Sequence, residues 1–145
     1  MRKTFVITIT ILSLASAGNA QTVYQKDRWG EKLLFFQENA VRVHDRWGEQ
    51  ILWYDTDNST IRQKDRWGEK LYFLDGNTVR LKDRWGNPAL YFDGNTIRRK
   101  DRWGEALYFI DGNTIRQKDR WGEKLFYFDF VPSRWQIVCV ITHLA

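Results

Sequence analysis

The tetrad Asp-Arg-Trp-Gly occurs six times, beginning at Asp27, Asp45, Asp65, Asp83, Asp101 and Asp119, with spacings of 18, 20, 18, 18 and 18 residues. A period near twenty marks a repeat architecture, in which one supersecondary unit buries its apolar face against the next copy. Both unit lengths are even. Strand side chains alternate with a period of two, so an even repeat returns every position to the same face of a sheet, and an insertion of two preserves that face. The longer unit carries its extra residues at 55–59, where its neighbours read Asp-Gly-Asn. Insertions belong at turn tips, which places a turn there.

Each unit then holds two turns and two strands. Asp suits the first position of a type I turn, and the corner Gly is expected in the left-handed conformation that completes a bulged hairpin connection. Asp75-Gly76-Asn77 and its counterparts supply the second turn, where Gly allows positive φ without a Cβ clash. Between the turns run segments such as 69–74 and 78–82, rich in Tyr, Phe, Leu, Thr and Val, which read as strands. No segment shows a helical period with caps. The expectation is an all-β fold of about twelve short antiparallel strands joined by tight hairpins. An open sheet of that size would expose its edges, so the period-18 hairpins close into a flower-like or barrel-like ring or coil as a β-solenoid. Two strands per unit are too few for a four-stranded propeller blade.

Opposed residues across a hairpin share a face. Tyr72, Leu74, Val79 and Leu81 share one, as do Leu34, Phe36 and Val41 or Leu90, Phe92 and Ile97 in other units. This face is apolar on both strands and is assigned to the core. The opposite face pairs Leu33/Phe35, Ile51/Trp53, Leu71/Phe73, Ala89/Tyr91, Leu107/Phe109 and Leu125/Tyr127 with a recurring Arg at 42, 62, 80, 98 and 116. An Arg beside a ring can stack on it for about 0.5–2 kcal/mol, depending on exposure; this second face is mixed, and is either half-exposed or the surface between units.

Both ends of the chain depart from the repeat. Arg2 and Lys3, the apolar run Phe5 to Leu14 and the small residues Gly18-Asn19-Ala20 read as a secretory signal peptide over residues 1–20, with an alternative cut after Ala17. The expected location is therefore exported, periplasmic or extracellular, with no membrane span in the mature chain. Loss of Arg2 and Lys3 lowers the net charge from +5 to +3. The cations alternate with acids, so a nucleic-acid partner is not expected. The repeat domain spans 21–130, and 131–145 is an atypical capping segment. Its β-branched run Ile137-Val-Cys-Val-Ile141, after Pro132, is expected to form a last strand that pairs with Val23-Tyr24 and closes the ring.

The unit Asp-Gly-Asn-Thr-Ile-Arg-x-Lys-Asp-x-x-Gly, at 93–104 and 111–122, resembles the repeat of the small exported bacterial β-flower proteins, the four-fold and five-fold families. The resemblance covers about residues 22–129 and rests on turn residues. It implies a fold and an exported location, and carries no established activity with it. The chain departs from those families in its corner Trp and its C-terminal segment. Leu90-Tyr-Phe-Asp-Gly94 is similar, more weakly, to choline-binding and glucan-binding wall repeats, although the Gly-Trp order of those repeats is reversed here.

Catalytic chemistry finds no foothold. His44 replaces the Lys that precedes most corners, His143 stands near the C-terminus, and Cys139 is the lone cysteine. These spacings make no zinc site. Asp55-Thr56-Asp57 lacks the rest of a calcium loop. No enzyme, metal or cofactor is expected. What remains is the pair that a hairpin does not need: Arg28, Arg46, Arg66, Arg84, Arg102 and Arg120 with Trp29, Trp47, Trp67, Trp85, Trp103 and Trp121. Turn-adjacent aromatics more often pack than bind, so each indole is expected to fold over the neighbouring hairpin and seal its bulge. The alternative is a ladder of exposed indoles that binds polysaccharide or another cell-envelope component. The protein reads first as a non-catalytic structural or interaction module, and second as a carbohydrate-binding one.

Overall fold

In the computed structural model, which describes residues 21–145, the strands form one closed antiparallel barrel. The signal-peptide expectation for residues 1–20 lies outside the described residues. The strands are β1 (Gln21–Gln25), β2 (Lys32–Gln37), β3 (Ala40–Val43), β4 (Gln50–Asp55), β5 (Thr60–Gln63), β6 (Lys70–Asp75), β7 (Thr78–Leu81), β8 (Pro88–Asp93), β9 (Thr96–Arg99), β10 (Ala106–Asp111), β11 (Thr114–Gln117) and β12 (Lys124–Phe128). Each pairs with its chain neighbours, and β12 pairs with β1. The repeat is thus a ring and not a solenoid, and closure removes both sheet edges.

The closing pair is a sixth hairpin with a severed tip. Val23 meets Phe128 and Gln25 meets Phe126, the register in which Val79 meets Leu74 and Leu81 meets Tyr72. Asp129 stands where Asp75 stands in its unit. Its Oδ1 accepts the Thr22 N–H at 2.8 Å, and its own N–H donates to Thr22 O at 3.2 Å. These bonds replace the covalent turn.

The register also sets the girth. Thr60 pairs with Phe73, and Phe73 with Arg80, two residues beyond the counterpart of Thr60 at Thr78. The same step recurs in every unit. It sums to a shear of about twelve, which for twelve strands gives a tilt of roughly 37° and a radius of roughly 10–11 Å. A helix with its side chains is about 10–12 Å across, so the lumen has room for one. It is filled by α1 (Arg134–Leu144), whose residues 136–141 are all buried. Val23, Leu34, Phe36, Val41, Ile61, Val79, Ile97, Ile115 and Phe128 pack around it, essentially without solvent contact.

The expected closing strand over 137–141 is therefore a helix. β-branched residues favour strands, and a run that is apolar on every side carries no 3.6-residue period. The decisive term is burial: ring closure is already satisfied by β12, and the lumen needs an apolar filler. A cap was present in the sequence. Ser133 precedes the helix, and the Gln136 side chain accepts its N–H at 2.9 Å, half of a capping box. At the tip end, Trp135 stacks on Tyr54 with centroids 4.6 Å apart, and Arg134 donates to Gly76 O and Asn77 Oδ1. Burial pushes the Cys139 thiol far above its ordinary pKa, so it serves as an inert filler.

Each corner hairpin carries a bulge; between Ile61–Tyr72 and Arg62–Lys70 the pairing skips Leu71. Strict alternation puts Leu71 on the outer face. The bulge instead lets Leu33, Ile51, Leu71, Ala89, Leu107 and Leu125 pack against the core. Deleting residues 131–145 empties the lumen and is expected to abolish soluble protein with a cooperative thermal transition. A truncated chain that melts as sharply as the full one contradicts this packing.

Candidate functional site: the six Arg-Trp corners

An up-and-down barrel sends all six corners to one end. Each begins with a residue at positive φ: Lys26, His44, Lys64, Lys82, Lys100 and Lys118, at 66° to 74°. In each, the following Asp N–H reaches back two residues, as Asp65 does to Gln63 O at 2.8 Å, the bond of a γ-turn. His is among the side chains that tolerate this region, which explains His44. A second turn follows directly. Asp65 O accepts the Gly68 N–H at 2.8 Å and Asp65 Oδ1 accepts the Trp67 N–H at 2.9 Å, and every corner repeats both bonds.

The corner Gly is thus not the left-handed residue; that role belongs to the residue before the Asp. Gly is required for another reason. A Cβ on Gly68 would overlap the Gln63 carbonyl oxygen, which the γ-turn presses against it, and the other five corner glycines stand likewise. The tip glycines Gly76, Gly94 and Gly112 have φ of 62° to 63° with open space around a Cβ, so at the tips the left-handed expectation holds.

The six corner indoles do not pack over their neighbours. They are 81–84% exposed. Leu71 and its counterparts pack against the core, and the γ-turn carbonyl occupies the space against Gly. Each corner Arg holds its Cζ 4.9–5.9 Å from the centroid of the adjacent Trp ring, within cation–π range. Among the described residues, ion pairs form at Arg62, Arg80, Arg98, Arg99 and Arg116, and at none of the corner guanidiniums.

The wall arginines make hydrogen bonds along the wall rather than stack on its rings. They brace the wall from tip to corner. Arg116 donates from Nη1 to Gly122 O at 3.0 Å and from Nε to Asp111 Oδ2 at 2.9 Å; Arg80 and Arg98 repeat this. Hydrogen bonds from a charged donor to a carbonyl and a carboxylate outweigh a ring contact. Arg42 and Arg62 keep the bond to the corner Gly, but their Nε atoms lack a hydrogen-bond partner. Gln37 stands in the Asp position near Arg42, and the longer tip leaves Asp55 3.6 Å from Arg62.

Strand tilt carries four of the corners alongside the wall of the preceding hairpin. Trp47 shares a groove of about 370 Å³ with Phe35, Trp67 one of about 520 Å³ with Trp53, Trp85 one of about 410 Å³ with Phe73, and Trp121 one of about 580 Å³ with Phe109. Arg46, Arg66, Arg84 and Arg120 line the same four grooves. The sequence places the wall aromatics on a mixed outer face but does not connect them to the corner Trp. That juxtaposition comes from the shear. Among the described residues, no group of three or more His, Cys, Asp and Glu side chains gathers as a metal site. Comparison with protein families, curated proteins and solved structures returns no match.

The two kinds of glycine separate experimentally. Gly104→Ala forces the γ-turn apart and is expected to cost about 3 kcal/mol or more, whereas Gly112→Ala, strained only in φ, is expected to cost about 1–2 kcal/mol. Chemical denaturation of both variants checks the order. Equal losses contradict the close-contact account of the corner.

Proposed function

We propose that the protein is an exported, non-catalytic interaction module that binds polysaccharide, of the cell envelope or its surroundings, through the grooves beside its corner tryptophans. The observation that carries this reading is the exposure of all six indoles, at 81–84%, with an Arg beside each. Large exposed apolar groups, repeated identically, have no part in the core and mark an interaction surface. An indole face stacks on the apolar face of a sugar ring, while nearby Arg, Asn and Asp groups bond its hydroxyls. Repetition around a ring adds avidity to sites that are individually weak. The turn residues shared with the β-flower repeat support the same reading of an exported hairpin ring. A purely structural role leaves the exposed indoles without a purpose.

Tryptophan-fluorescence titration against a polysaccharide panel tests the reading. Binding is expected to shift corner emission to shorter wavelength, and replacing both Trp103 and Trp121 with Ala is expected to weaken it about tenfold. The absence of any response across the panel would leave only the structural role.

A further inference from the structure

The four grooves do not face the same way. Their wall aromatics are Phe35 on β2, Trp53 on β4, Phe73 on β6 and Phe109 on β10. Around the closed ring, β10 lies six strands from β4 in either direction. The groove at Trp121 is therefore diametrically opposed to the groove at Trp67. The grooves at Trp47 and Trp85 flank the one at Trp67, two strands away on each side. Three grooves form an arc on one side of the barrel, and the fourth stands behind it.

All four lie on the outer wall near the corner end. Trp53 and Phe109 pair across their hairpins with the wall arginines Arg62 and Arg116. The residues that alternate with them, Leu52, Tyr54, Tyr108 and Ile110, belong to the core side. Between the opposed grooves stand two walls and a lumen filled by α1, on the order of 20 Å from backbone to backbone. A straight length of polymer held in one groove cannot touch the other. One chain reaches both only by wrapping half the circumference, an ordering cost of loop closure. In a concentrated polymer the opposed groove is met more readily by a second chain. Avidity along one chain is confined to grooves that the chain can engage together, which are those of the arc.

We propose that the protein is a non-covalent cross-linker of polysaccharide. The arc centred on Trp67 holds one chain, the groove of Trp121 and Phe109 holds another, and a single copy ties the two together. This rests on the carbohydrate reading above and adds bridging to binding.

A sandwich assay tests this. Dextran, laminarin, xyloglucan and polygalacturonate are each fixed to a surface, loaded with protein, washed, and exposed to the same polymer carrying a fluorophore. Retained protein reports binding, and captured fluorescence reports bridging. The wild type is expected to capture labelled polymer on every surface that retains it. Three variants share Trp29→Ala, Trp47→Ala and Trp103→Ala, which touch only indoles that stand in solvent. Adding Trp85→Ala leaves the opposed pair Trp67 and Trp121; adding Trp121→Ala instead leaves the adjacent pair Trp67 and Trp85; adding both leaves Trp67 alone. The opposed pair is expected to capture about tenfold more labelled polymer per retained protein than the adjacent pair, which binds its one chain more tightly. Trp67 alone is expected to bind without capture. Wild-type protein retained without capture overturns cross-linking and leaves the carbohydrate reading standing. Equal capture by the two pairs, or capture by the Trp67-only variant, also overturns it, because the bridge then comes from self-association or from other sites. Retention on none of the four polymers defeats both readings.

Discussion

The packing of the barrel wall around one apolar helix is the interaction on which the structure depends. Twelve strands with a shear of about twelve enclose a lumen too wide for strand side chains to fill alone and wide enough for one helix. The repeat delivers inward residues from both strands of every hairpin, and α1 supplies the matching surface on all its sides. Interiors pack to near-crystal density, and an unfilled lumen forfeits those contacts. The helix is therefore the second half of the core and not an appendage to the ring.

With the core satisfied inside, the corners are free for other work. The γ-turn, the Asp side-chain bond and the Gly–carbonyl contact are each local, and they hold the corner without any help from its Arg and Trp. The wall arginines fasten the corner Gly carbonyls to the strands, so the corner backbone is braced while the indole stays in solvent. Shear then brings each of four corners into line with a wall aromatic from the hairpin before it. A carbohydrate-binding surface on this protein would be a consequence of barrel geometry, repeated wherever the repeat recurs.

Much of this is legible in the residues. The even period, the Asp-Gly-Asn tips and the two-sided strands lead to a hairpin ring, and Leu34, Phe36, Val41 and Ile97 are in the core as their alternation requires. The misreadings have identifiable causes. The run 137–141 is β-branched and uniformly apolar, so local propensity points to a strand while burial inside a closed ring selects a helix. Leu71 and its counterparts turn inward because a bulge breaks the alternation. The corner Gly looks left-handed by analogy with common hairpins, yet the preceding Lys takes that conformation. Exposure of the corner Trp is a property of packing rather than of pattern. The grooves depend on the shear, a sum over the whole ring that no single unit displays.

The central claim is that the corner indoles stand in solvent as the faces on which a sugar is held. A crystal structure of the protein soaked with an oligosaccharide that it binds tests this most directly. Sugar rings stacked on corner indoles, beside the wall aromatics of the preceding hairpins, are the expected result. Sugar bound elsewhere, or corner indoles folded down over neighbouring hairpins, would contradict it.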